Sequence, residues 1–315
     1  PFKPPIQMFW TVFYFEIAYR FKRPATWIYF GVFLLLTALI IGDGGLGVSE
    51  KVYYNAPTSI GLFCAILGVF SVLVSSASMG VPLFRDLEHD TKEYRLSTPI
   101  SRGAYFWGRF WGSFCTLLFV CSGAMIGYII GTWIGPLFDW TKPERYGPNH
   151  PTYYIWAFST ILLPSLFFTA TVFYALVAWL KNNRVLYSAS ILLFIFYLLT
   201  SFLVRDLENR DLVDMLDPFA LTTYQNAIKY YTPAEQNTLM PPMSGNLLLN
   251  RLLWLGAGLL LLLGVYSRFS ITKFISVSSG KRKKKDEAEV RPASVPLPVV
   301  QPTFAKGFGL PNLWS

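Results

Sequence analysis

An all-α, polytopic membrane fold is the class this sequence predicts, and three observations predict it. Hydrophobic residues make up 53% of the 315-residue chain and charged residues only 14%, whereas soluble domains carry about 25% charged residues. The mean hydropathy is +0.40. The apolar residues gather into six runs separated by polar connections, each close to the roughly 20 residues an α-helix needs to cross a hydrocarbon core.

The runs fall in order at residues 26–41, 59–83, 110–134, 154–180, 185–204 and 252–266. Arg109 leads into the third, and the fourth contains no charge. Pro164 sits inside the fourth, where it removes a backbone donor and should bend the helix. Gly123, Gly127, Gly131 and Gly135 recur every fourth residue along the third run, a small-residue stripe that lets a second helix approach closely.

Residues 6–23 precede the first run and are rich in aromatics, with Glu16, Arg20 and Arg23 on one narrow helical face. Trp10, Phe13, Tyr14 and Tyr19 suit the headgroup region. The segment reads as a helix lying along the membrane surface that turns inward at Pro24, since Lys22, Arg23 and Pro24 oppose a continuous helix. Three parts result: an interfacial helix over 1–25, a six-span domain over 26–267, and a basic tail and linker over 268–315.

Lys and Arg partition unevenly among the connections. Lys51, Lys142, Arg145, Arg205, Arg210, Lys229 and Arg251 fall on one side, and the rest of the 27 fall on the other, with both termini. The positive-inside rule makes that second side cytoplasmic. The net charge of +9 is therefore topological, and no nucleic-acid partner is expected. Lys281-Arg282-Lys283-Lys284-Lys285 reads as an anchor to anionic membrane lipid. The chain opens on Pro1-Phe2-Lys3, which reads as a trimmed start.

Catalytic equipment is scarce. The two histidines, His89 and His150, lie in connections, and neither a His-Glu-x-x-His pattern nor a phosphate-binding Gly-x-x-x-x-Gly-Lys-Ser/Thr loop is present. Cys64, Cys115 and Cys121 lie inside apolar runs without metal-ligand spacing and read as packing residues. Asp206, Glu208, Asp211, Asp214 and Asp217 crowd the connection after the fifth run, but their spacing fits no Ca²⁺ loop and favours helix capping. The chain is not expected to be an enzyme or to hold a cofactor of its own. The centres of the runs lack the ionisable groups that ion-coupled carriers place there.

The connection between the second and third runs is different in kind. Arg85, Asp86, Glu88, Asp90, Lys92, Glu93 and Arg95 pack both signs of charge into a short stretch at helical spacing, and Thr98-Pro99 ends it before Ser101 and Arg102. Such a helix at the bilayer can pass force from a soluble partner to the spans; an ordinary solvated loop is the alternative.

This stretch resembles the coupling-helix region of type-2 ABC transporter permeases, which carry Arg-Asp-x-Glu, Thr-x-Glu and Thr-Pro-Ile-x-Arg between their second and third spans. The matching positions are Arg85, Asp86, Glu88, Thr91, Glu93, Thr98, Pro99, Ile100 and Arg102, continued by Gly108 and Arg109. Glu16 with Tyr19-Arg20, Arg23-Pro24-Ala25-Thr26, Asp217-Pro218-Phe219, Asn237-Thr238-Leu239 and Asn250-Arg251-Leu252 extend the resemblance. Similar large bacterial permeases join two six-span halves in one chain, and some add an aminopeptidase domain. One half and no zinc motif are present here, so the expectation is either a longer gene or a half-size subunit.

The resemblance implies a permease in the bacterial inner membrane, with a second permease half and cytoplasmic P-loop ATPase subunits as partners. Those partners would bind ATP and Mg²⁺. The alternatives are an ATPase-coupled scaffold that transmits motion without transport, and a secondary carrier or channel.

Overall fold

The computed structural model describes residues 4–45, 47–88, 100–180, 183–203 and 210–270, the last turn of the third helix as backbone only. Among the described residues every regular element is helical. The long elements are α1 Pro5–Phe21, α2 Pro24–Gly42, α3 Pro57–Glu88 and α4 Arg102–Leu137. Then α5 Pro151–Ala157 passes through a π-helical turn, Phe158–Leu162, into α6 Leu163–Leu180. They are followed by α7 Asn183–Leu203, α8 Arg210–Leu216, α9 Leu221–Ile228, α10 Pro233–Thr238 and α11 Gly245–Arg268.

Proline sets many of the boundaries. Pro5, Pro24, Pro57, Pro151 and Pro233 each begin a helix, where the missing N–H costs no intrahelical bond. Arg23 is held extended, at φ −89° and ψ 129°, because the residue before proline is pushed out of the α region. The expected break between α1 and α2 is therefore present.

Among the described residues, five helical stretches are long and apolar enough to cross a membrane: Pro24–Gly42, Pro57–Gly80, Arg102–Leu137, Pro151–Leu180 and Gly245–Arg268. The remaining predicted run falls on α7, whose apolar stretch, Val185–Thr200, is shorter. Burial separates centre from flank, since 61–67% of the best apolar window is buried in α3, α4 and α5–α6 against 28% in α2 and α11. α3 lies in the middle, touching α4, α6 and α7, while α11 lies against α6.

The glycine stripe does what its spacing predicts. A side chain at Gly123 would meet the Phe30 carbonyl at 2.7 Å, one at Gly131 the Ala38 carbonyl at 2.8 Å and one at Gly135 the Gly42 carbonyl at 2.5 Å, and Gly127 meets the Leu34 carbonyl in the same way. Both partners advance four residues at a time, so α2 and α4 run parallel, backbone to backbone. Gly108 and Gly112 extend the row to Val12 and Glu16 of α1. Thus α1 also lies alongside α4, running in the same direction. The reason is steric, because glycine leaves room for the α1 backbone.

Aromatic rings fill the space between α4 and α6: Tyr174 meets Phe106 and Phe110 edge-on at 5.2 and 5.3 Å, and Phe167 meets Phe114 at 5.8 Å. Cys64 and Cys121 are buried among such residues and Cys115 is half-buried. At the end of the bundle away from α1, three connections are stitched together. Asn55 Nδ2 donates to the Gly147 carbonyl at 2.6 Å, and Asn237 accepts from Tyr53 N–H at 2.8 Å while donating to the Lys51 carbonyl at 3.0 Å.

Candidate functional site: two buried guanidinium clusters joined by a polar seam

The first cluster forms where α1 meets α3 and α4. Glu16 is wholly buried, its Oε1 accepting from Arg20 Nε at 3.0 Å and its Oε2 from Arg109 Nη1. Arg20 also donates through Nη2 to the Ser78 carbonyl of α3, and lies 3.4 Å from Ser113 Oγ of α4. Ser113 in turn donates to the Arg109 carbonyl at 2.8 Å. One carboxylate thus draws two guanidiniums from different helices into a buried site, where charge-assisted bonds are strong. The aromatic rings of Phe15 and Tyr105 face the Arg109 guanidinium at 5.5 and 5.6 Å.

Of the predicted interfacial residues, Glu16 and Arg20 are therefore buried and shared with α3 and α4. Arg23 is exposed and lies 4.5 Å over the Tyr19 ring, whose hydroxyl it also contacts. Trp10 and Tyr14 remain exposed.

The predicted coupling residues that are described fall at the same end of the bundle. Arg85, Asp86 and Glu88 lie on the last turns of α3, and Thr91, Glu93, Thr98 and Pro99 lie outside the described residues. Arg102 is the first residue of α4 behind the N-cap Ser101, whose Oγ accepts from Ala104 N–H at 3.3 Å. Its guanidinium stacks 4.7 Å over the Tyr266 ring, near the end of α11.

The second cluster lies toward the other end. Arg251 was grouped with the outer loops in the sequence, yet here it is 2% exposed and enclosed by the bundle. Its Nη1 donates to the Ile161 carbonyl at 3.2 Å and to Ser165 Oγ at 3.0 Å, and its Nη2 to the Pro218 carbonyl at 3.3 Å. Asn250 Oδ1 accepts from Arg251 Nε at 3.0 Å, while Asn250 Nδ2 donates to the Asp217 carbonyl at 2.8 Å.

Of the acidic connection, Asp206 and Glu208 lie outside the described residues, and Asp217 behaves as expected of a capping group. Asp217 accepts from Phe219 N–H at 3.0 Å, Thr222 N–H at 2.7 Å and the Tyr197 hydroxyl at 3.1 Å, supporting the left-handed Ala220 (φ 56°) that starts α9. Asp214, at the floor of an open cleft of about 410 Å³, accepts from Asn226 at 2.7 Å and Asn246 at 3.1 Å. Both of its oxygens are engaged, so the cleft wall is self-satisfied. Among the described residues, no group of three metal-ligating side chains occurs.

Between the clusters runs a line of buried hydroxyls. Ser165 Oγ donates to the Ile161 carbonyl at 3.1 Å, and Thr169 Oγ1 to the Ser165 carbonyl at 3.0 Å. Thr169 Oγ1 also lies 3.0 Å from Ser75 Oγ of α3. One turn along α3 is Ser78, whose carbonyl receives Arg20.

Sequence reasoning noted Arg109 as the lead-in to the third run, Arg251 as a loop charge and both as positions in the family resemblance, without expecting either to be buried among partners. A signal was present: each is embedded in apolar and small residues, Phe106 to Ser113 and Leu247 to Leu253, where a lone charge is costly unless it meets a partner. No protein-family model matches the chain, and no curated protein matches it.

Proposed function

We propose that this chain is the membrane-spanning permease subunit of an ATP-driven exporter in a bacterial inner membrane, with its basic end in the cytoplasm. A separate P-loop ATPase supplies the hydrolysis, and a second permease half completes the assembly. The observation that carries this reading is the Glu16–Arg20–Arg109 cluster. It ties α1, α3 and α4 together at the end of the bundle where α3 ends and α4 begins.

The physical argument concerns force. A push on residues 85–102 acts on the end of α3 and the start of α4. Those helices cannot separate from α1 without exposing a buried carboxylate or guanidinium, and breaking one partner out of a buried pair costs about 3–5 kcal/mol. The cluster therefore makes the three helices respond as a unit, while the glycine row carries the motion on to α2.

Depth is consistent with such a role. With a rise of about 1.5 Å per residue, α4 spans about 54 Å across its 36 residues, well beyond a hydrocarbon core of about 30 Å. Its first turns, with Arg109 and the α1 contact, then reach the cytoplasmic headgroups. Aromatic rings pack the space between α4 and α6, so in this reading the substrate path runs along the surface shared with the second half.

The test is uncoupling. In the complex reconstituted with its ATPase, Glu88→Ala, Glu93→Ala and Arg102→Ala are each expected to insert normally and hydrolyse ATP while losing substrate movement. Normal transport in all three variants removes segment 85–102 from the mechanism. ATP-dependent shape change without any transported substrate would instead favour the scaffold reading.

A further inference from the structure

The backbone is interrupted where α5 passes into α6. The π turn at Phe158–Leu162 shifts the hydrogen-bond register, so that Leu163 N–H reaches the Phe158 carbonyl, and Pro164 two residues later offers no N–H. A π turn and a proline together leave a helix short of its own backbone bonds. Two side chains also reach the Ile161 carbonyl beside this break, Ser165 Oγ at 3.1 Å and Arg251 Nη1 at 3.2 Å. The second of these comes from a different helix.

Arg251 is unusual in its own right. Its partners are the Ile161 and Pro218 carbonyls, Ser165 Oγ and Asn250 Oδ1, all neutral oxygens. A guanidinium buried in a span helix is expensive unless every donor is met, and here the interrupted helix supplies part of what it needs. Arg251 thus bridges the break, bonded to the Ile161 carbonyl on one side of Pro164 and to Ser165 Oγ on the other.

The seam extends that dependence toward the other cluster. Ser165, Thr169 and Ser75 are each no more than 2% exposed. Gly68 lets α6 sit close to α3, since a side chain there would meet Ser165 Cβ at 3.2 Å. Widening the gap between α3 and α6 at Ser75 and Thr169 strips a buried hydroxyl pair of its partner, and in a low-dielectric interior that loss is not compensated by water.

We propose that the Pro164 break is a hinge latched shut by Arg251, and that the Ser165–Thr169–Ser75 seam couples the state of this hinge to the Glu16–Arg20–Arg109 cluster. The hinge and the cluster then form one conformational relay through the bundle. The inference does not depend on an ATPase, and its test uses the chain alone, so its failure and that of the exporter reading are distinguishable.

The experiment is hydrogen–deuterium exchange on the full chain in lipid nanodiscs, following peptides that cover residues 158–166. Arg251→Met is expected to raise exchange there at least tenfold. Glu16→Gln, at the far end of the seam, is expected to raise it at least threefold, and adding Glu16→Gln to Thr169→Val is expected to cause no further rise. Unchanged exchange in Arg251→Met overturns the latch, and unchanged exchange in Glu16→Gln overturns the relay. Should Arg251→Met not fold, Ser165→Ala, which removes one hydroxyl, tests the latch by the same readout, with at least a threefold rise expected and no rise overturning it.

Discussion

Replacing Glu16 by glutamine changes one atom type and leaves the size of the side chain unchanged. The carboxylate it removes is wholly buried and accepts from both Arg20 and Arg109. Hydrogen bonds to a charged group contribute about 1.5–3 kcal/mol, and leaving buried charge uncompensated raises the loss to about 3–5 kcal/mol. Glu16→Gln is therefore expected to destabilise the purified protein by about 3 kcal/mol, read from equilibrium unfolding in mixed micelles of detergent and SDS. Arg23→Ala is the control, because Arg23 is exposed and its loss is expected to cost less than about 1 kcal/mol. A double-mutant cycle of Glu16→Gln with Arg109→Met should give a coupling of about 1–3 kcal/mol, as expected of residues in one network. Equal stabilities for Glu16→Gln and Arg23→Ala would refute the reasoning, since they would show that the cluster carries no more than a surface charge does.

Three further outcomes are expected. Gly127→Leu should disrupt the α2–α4 seam, because even a Cβ there runs into the Leu34 backbone, and overpacking of this kind costs about 1–3 kcal/mol or more; Gly256→Ala, with nothing within 4 Å, should be neutral in the same unfolding assay. Asn237→Ala should raise amide exchange at Tyr53, which donates to its side chain at 2.8 Å. Glu235 closes the capping box of α10, and the Thr232 N–H and hydroxyl hold its carboxyl below the ordinary value of 4.5. Its cap is therefore complete above pH 4.5 and is lost as the pH falls through the lowered value. Amide protection in α10 should fall over that window, and Glu235→Gln should abolish the dependence.

Much of the helical plan is legible in the sequence because its determinants are local. Apolar run length marks the long helices, Pro24, Pro57 and Pro151 mark their starts, and the four-residue glycine period names the face that α2 approaches. The boundaries move outward in the structure, as with α4 beginning at Arg102 rather than Phe110, because polar first and last turns remain helical when neighbours or caps satisfy them. Asp217 was legible as a capping group for the same local reason.

The buried clusters were not legible in this way. Glu16 and Arg109 are 93 residues apart and Arg251 and Ser165 are 86 apart, so their pairing depends on which helices are neighbours. Hydropathy assigns every charge to water, and so placed Arg251 in a loop. The packing of α1 was not legible for a related reason: Gly108 and Gly112, which admit it alongside α4, lie in a different part of the chain. The coupling segment rests on residue pattern for Thr91, Glu93, Thr98 and Pro99, and on position for Arg85, Asp86, Glu88 and Arg102.

The most direct test of the exporter reading is to isolate the native protein gently from its own membranes and identify what accompanies it by mass spectrometry, with mild crosslinking before extraction. A P-loop ATPase in stoichiometric amount is the expected result. Recovery without any ATPase after crosslinking would contradict it.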